Sequence, residues 1–159
     1  MTNSTLQKSF IQAGAALAGI AVLAGAIGSH EIKPIISETD FEIFETATKY
    51  QFMHALSLLV LGFGLRKLNE DVALKVFGLF VAGIIIFSGS LYLLATSSIW
   101  ANTRIKWFGA ITPFGGVSLV AGWFYLALKG YNPGRQGTES AKKIMAMHQR
   151  KPKPEEETN

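Results

Sequence analysis

The side chains of this chain whose types and spacing could do chemistry are His30, Tyr50, Gln51, His54, Ser88, Ser90, Tyr92 and Thr112. Brought together, imidazoles, hydroxyls and a carboxamide could hold a small ligand, relay a proton or bind a metal. Tyr50 and His54 are four apart, so on a helix they share a face. Metal binding has the fewest ligands to draw on. His30 and His54 have no cysteine and no nearby intramembrane carboxylate to join them, whereas usual sites gather three or four strong donors, so neither metal nor cofactor is expected. Nucleophilic catalysis fails in the same way, because no His with a carboxylate completes a triad with any of the serines. With no cysteine in the chain, disulfides, zinc–thiolate sites, iron–sulfur clusters and thiol catalysis are excluded.

Four apolar blocks must position these residues. They run over about 10–28, 46–65, 76–97 and 107–128, each long enough as a helix to cross roughly 30 Å of hydrocarbon. Composition agrees: 49% of residues are hydrophobic and only 16% charged, and the charges lie almost entirely between or after the blocks. Ordinary soluble domains carry roughly 25% charged residues. The expected fold is therefore all-α, a four-transmembrane-helix bundle over residues 1–129 followed by a polar, flexible tail over 130–159. Lys8, the first apolar run and Ala24-Gly25-Ala26 imitate a signal peptide, but the run exceeds a usual signal core and reads as a retained span. Eleven Lys and Arg residues fall on one side of the blocks and four on the other, which places both termini in the cytoplasm by the positive-inside rule. The net charge of +4 thus serves topology, and no nucleic-acid partner is expected.

With that orientation, Tyr50, Gln51, His54, Ser88, Ser90, Tyr92 and Thr112 all fall toward the outer leaflet, with His30 just beyond the first helix. His148 falls in the tail, out of reach. Two readings follow: a layer that recognises a ligand or proton, or groups that bond one another because lipid offers them no partner. No carboxylate lies inside the blocks, which disfavours a pump or carrier. Ser37 followed by Asp40, with Phe41, Phe44 and Thr48 at helical spacing, predicts a short amphipathic helix on the outer surface, running into the second span. Gly19, Gly25 and Gly28 pair with alanines four residues earlier, and Gly89, Gly115, Gly116 and Gly122 supply further small sites for close helix approach. Pro113 should kink the fourth helix by freeing the carbonyl of Gly109, and Trp100, Trp107 and Tyr131 fit interfacial anchors.

Four blocks then read together: Gly25-Ala26-Ile27-Gly28-Ser29-His30; Tyr50-Gln51 followed by His54; Phe87-Ser88-Gly89-Ser90-Leu91-Tyr92; and Thr112-Pro113 followed by Gly115-Gly116 and Gly122-Trp123. In this order they resemble the small YgdD-like inner-membrane family, a domain of unknown function (423). The resemblance implies a four-helix protein of the bacterial cytoplasmic membrane and supplies no activity. Ser29 stands where an alanine is common, and the tail is longer than typical. The favoured expectation is a non-catalytic accessory or structural component that associates with lipid and with other membrane protein subunits or itself. The alternative is binding or permeation of a small molecule, lipid, quinone or proton through the outer-leaflet layer.

Overall fold

A computed structural model describes residues 3–101, 103, 105–130 and 144–147. Four helices account for most of them: α1 (Asn3–Ile27), α2 (Glu38–Gly64), α3 (Glu70–Ala101) and α4 (Trp107–Lys129). No strand occurs among the described residues. Each helix runs antiparallel to its neighbour in sequence and packs chiefly against it, so that α2 lies between α1 and α3, and α3 between α2 and α4. One end of the bundle carries the α1–α2 and α3–α4 connections and is called the upper end below; the other carries the α2–α3 connection. The expected tail, with Tyr131 and His148, falls almost wholly outside the described residues.

Three helical segments are long and apolar enough to cross a membrane: Ser4–Ile35, Glu70–Ala101 and Trp107–Lys129. Helix α2 has the length, at 27 residues, but Lys49, Tyr50, Gln51 and His54 interrupt its middle. The helices extend beyond the apolar blocks read from the sequence because polar first and last turns continue the same hydrogen-bond ladder. The amphipathic stretch predicted before the second span is the upper part of α2 itself: Ser37 is its N-cap, accepting from the Asp40 N–H at 3.1 Å while its own hydroxyl donates to the Asp40 carboxylate at 2.8 Å. Phe41 and Phe44 are buried on its inner face.

Local chemistry sets the turns. At its end α1 widens into a π-helical turn, Gly28–Ile32, in which the Lys33 N–H donates to the Gly28 carbonyl, and a 3-10 turn over Lys33–Ile35 follows. Pro34 has no N–H to offer a continuing ladder, so the regular helix stops here. At the lower end Asn69 caps α3, its side chain accepting from the Asp71 N–H at 3.1 Å, and the Asn69 N–H donates to the Gly130 carbonyl at 3.0 Å. The start of α3 is thereby tied to the end of α4. At the upper end the fully buried Ser97 hydroxyl donates to the Leu94 carbonyl and accepts from the Ile105 N–H across the α3–α4 connection.

The core is built around Leu6, Phe10, Leu58, Val76, Phe80 and Ile84, with Leu65, Val72 and Ala73 at its lower end, and is closed from α4 by Leu119. Hydrocarbon is as apolar as these side chains, so association in a bilayer must come from close packing and interhelical hydrogen bonds. Glycines give the packing. A Cβ on Gly115 would overlap the backbone of Phe87, and one on Gly14 would lie 2.9 Å from the Ala55 carbonyl oxygen. Gly122 faces the Phe80 ring and Gly28 the Phe44 ring at similarly short range, while Gly25 and Gly116 make ordinary contact. Gly19 and Gly89 meet nothing within 4 Å, so they lie on faces turned away from the neighbouring helices. Pro113 sits inside a continuous α4, and the Thr112 hydroxyl at that level bonds the Phe108 carbonyl at 3.3 Å, not that of Gly109.

Candidate functional site

Helices α2 and α3 each supply three of the polar groups picked out by the sequence, and α2 bonds to all three of its neighbours. His54 is 5% exposed. Its Nδ1 lies 2.8 Å from the Tyr50 carbonyl oxygen on the preceding turn, and its Nε2 lies 3.1 Å from the indole nitrogen of Trp123 on α4. A carbonyl only accepts and an indole N–H only donates. Both contacts are therefore satisfied in one state, the neutral ring with its proton on Nδ1; a proton on Nε2 would set two donors face to face. Phe80 meets the imidazole edge-on at 5.3 Å, Trp123 packs on Phe80 at 5.1 Å, and Tyr50 stacks over His54 at 6.1 Å.

Gln51, also buried, turns the other way and donates to the Leu17 carbonyl of α1 at 2.9 Å. Gln7 of α1 returns the arrangement, donating to the Gly62 carbonyl of α2 at 3.1 Å. Tyr92 of α3 donates to the Thr48 hydroxyl of α2 at 3.1 Å, and Thr48 bonds back to the Phe44 carbonyl. Ser90 and Thr112 join α3 to α4 through a 2.8 Å hydroxyl pair, and Ser118 of α4 donates to the Leu79 carbonyl of α3. Ser88 is buried without a hydrogen-bond partner among the described residues. His30 is exposed on the π-helical turn, apart from the rest.

The sequence-derived layer is thus several separate interhelical bonds. Thr48, Tyr92, Ser90 and Thr112 belong to the upper half of the bundle. His54 follows Thr48 by six residues, about 9 Å further along α2. Among the described residues no three His, Asp or Glu side chains come together as a metal-holding group. Sequence reasoning missed Trp123, Thr48, Gln7 and Ser118 as bonding partners. Trp123 was visible within the Gly122-Trp123 block, but its partner is 69 residues away and no local spacing points to it. Gln7 lay just before the apolar block of α1, where a polar residue reads as solvated.

Comparison with known proteins gives the same class. The family model described as a protein of unknown function, DUF423, matches residues 24–116. The chain is 42% identical over 123 residues to UPF0382 membrane protein SAB0533 of Staphylococcus aureus, covering 76% of this chain and 93% of that protein. It is 38% identical over 122 residues to UPF0382 membrane protein YwdK of Bacillus subtilis, covering 76% of this chain and 94% of that one. No solved structure matches. An all-α bundle with membrane-length helices, a family match that contains the first three motif blocks and the start of the fourth, and relatives covered nearly end to end agree: the chain is a membrane protein and belongs to the DUF423 family of unknown function.

Proposed function

We propose that the protein is a non-catalytic accessory subunit of the bacterial cytoplasmic membrane, with all four helices crossing the bilayer, both termini cytoplasmic, and the outward face of α1 joining another membrane protein. The observation that carries this reading is the state of that face. Gln12, Ala15, Gly19 and Ala26 are exposed along α1, and a Cβ on Gly19 would meet nothing. Gln12 makes no hydrogen bond with a described residue. An amide turned into hydrocarbon lacks the water it would otherwise bond, and a small-residue face allows a second backbone to approach it. The chemically capable groups inside the bundle are already engaged with one another, His54 through both ring nitrogens, which favours a structural role for them over a ligand-binding one.

The crossing of α2 follows from its neighbours. If α1 and α3 both traverse the membrane, the helix packed antiparallel between them must return across it. Native mass measurement in mild detergent should show an assembly larger than the 17.3 kDa chain, lost in Gly19→Leu and weakened in Gln12→Leu. A monodisperse monomer from native membranes would remove the proposal. A C-terminal reporter active only in the cytoplasm tests the orientation.

A further inference from the structure

Between the upper halves of α1 and α2 lies a half-open groove of about 390 Å³, within the size range of small-molecule sites. Its lining changes character along its length. Toward the connection Ser29 and Glu45 line it beside Phe41 and Phe44; one turn further down Lys49 lies near Phe52, where Ala21 and Val22 bound it toward the middle of the bundle. Glu45 and Lys49 are four apart on α2, both are exposed, and neither forms an ion pair with a described residue.

The depth of these residues follows from the opposite end of the same helix. Arg66 and Lys67 mark the lower boundary, and ~30 Å of hydrocarbon at 1.5 Å per residue reaches back about twenty positions, to the neighbourhood of Thr46. Glu45 then stands at the upper interface and Lys49 one turn below it, within reach of that interface by its flexible stem. The charged end of the groove is at headgroup level and the apolar end points into the acyl region.

We infer that this groove seats an outer-leaflet phospholipid whose headgroup carries both a phosphate and a primary ammonium, the phosphate on Lys49, the ammonium on Glu45 and one acyl chain along Val22 and Phe52. The match is one of charge order. A zwitterionic headgroup presents two opposite charges a few ångströms apart, as do the carboxylate and ammonium of this helical turn. An anionic headgroup would pair with Lys49 and set its remaining negative charge beside Glu45. A trimethylated ammonium would fit the charge but offer Glu45 no N–H, losing a charge-assisted hydrogen bond.

The placement rests on α2 crossing the bilayer, so the test separates the two. The full chain in mild detergent is given equal amounts of phosphatidylethanolamine, phosphatidylcholine and phosphatidylglycerol with the same acyl chains, and the retained lipid is read by native mass spectrometry. The expected result is a one-lipid adduct favouring phosphatidylethanolamine by about 10-fold, the order set by one charge-assisted hydrogen bond. Glu45→Gln and Lys49→Gln, both at exposed positions, should each abolish the preference, and Gly25→Leu, which fills the groove without changing charge, should abolish the adduct. Equal retention of the three lipids, or an adduct unchanged in all three variants, overturns the assignment. In membrane vesicles holding the full chain, the cysteine-free background allows Val60→Cys and Glu38→Cys to be compared with a water-soluble maleimide. Protection of the first and labelling of the second uphold the crossing of α2 even where lipid selectivity fails, whereas labelling of both removes the depth assignment and the lipid site with it.

Discussion

Replacing Gly115 by alanine adds a single methyl group where α4 comes closest to α3. The added Cβ would lie 2.7 Å from the Phe87 Cα and 2.8 Å from its Cβ, with the Phe87 backbone nitrogen nearer still. Ordinary carbon contacts are about 3.5–4.0 Å, and the atoms in the way are backbone, which cannot rotate aside. The two helices must therefore separate by roughly 1 Å at this crossing. Ser90 and Thr112 lie three residues from Phe87 and Gly115 respectively, so their 2.8 Å hydroxyl pair sits on the same crossing and would be stretched beyond hydrogen-bonding range. Overpacking of this kind costs about 1–3 kcal/mol, and the lost interhelical bond adds roughly 0.6 kcal/mol in a membrane setting. Gly116 and Gly89 are built-in controls: a Cβ at Gly116 would touch Phe87 side-chain atoms at 3.6 Å and one at Gly89 would meet nothing. Unfolding in mixed micelles of increasing denaturing-detergent fraction, followed by helical circular dichroism, should rank Gly115→Ala clearly below wild type with Gly116→Ala and Gly89→Ala close to it. Three alanine variants of equal stability would refute the argument that backbone proximity, not glycine content, holds α3 to α4.

Two further perturbations test the polar bonds. Trp123→Phe keeps an aromatic ring beside Phe80 but removes the donor to His54 Nε2, leaving a buried acceptor unpaired; a double-mutant cycle with His54→Phe should give a coupling of about 0.5–1.5 kcal/mol, and in the intact protein nitrogen NMR of His54 should report the proton on Nδ1. Zero coupling or the other tautomer counts against the arrangement. Ser37→Ala removes the N-cap of α2 and should cost ~1 kcal/mol, seen as faster amide exchange confined to the first turn around Asp40, with exchange near Leu58 unchanged.

The four helices were legible in the sequence because apolar length is a local property, and Ser37-x-x-Asp40 marked the start of α2 for the same reason. What could not be read was which groups meet. Tyr50, Gln51 and His54 are close in sequence, yet Gln51 bonds to α1 while His54 meets α3 and α4, because the two positions sit about 60° apart around the helix and α2 has α1 on one flank and α3 and α4 on the other. Small residues behaved likewise. Gly25 and Gly28 face α2 but Gly19 on the same helix does not, and the tight positions at Gly14, Gly62 and Gly83 carried no signal beyond being glycine.

The helix that fails a hydropathy test is also the one that every other helix bonds to. Helix α2 donates to or accepts from α1 through Gln51 and Gln7, from α3 through Tyr92, and from α4 through Trp123. These facts have a common cause. A polar side chain on a helix with protein on both flanks is shielded from hydrocarbon and finds partners, whereas on α1 or α4, whose apolar windows are only 22% and 17% buried, most positions have lipid as their sole alternative. Selection for a bilayer environment therefore tolerates Gln51 and His54 in the interior helix and excludes them from lipid-facing positions at the periphery. The low hydropathy of α2 is what a hub looks like in sequence, and it makes the exposed Gln12 on peripheral α1 the position that most calls for a partner from outside the chain.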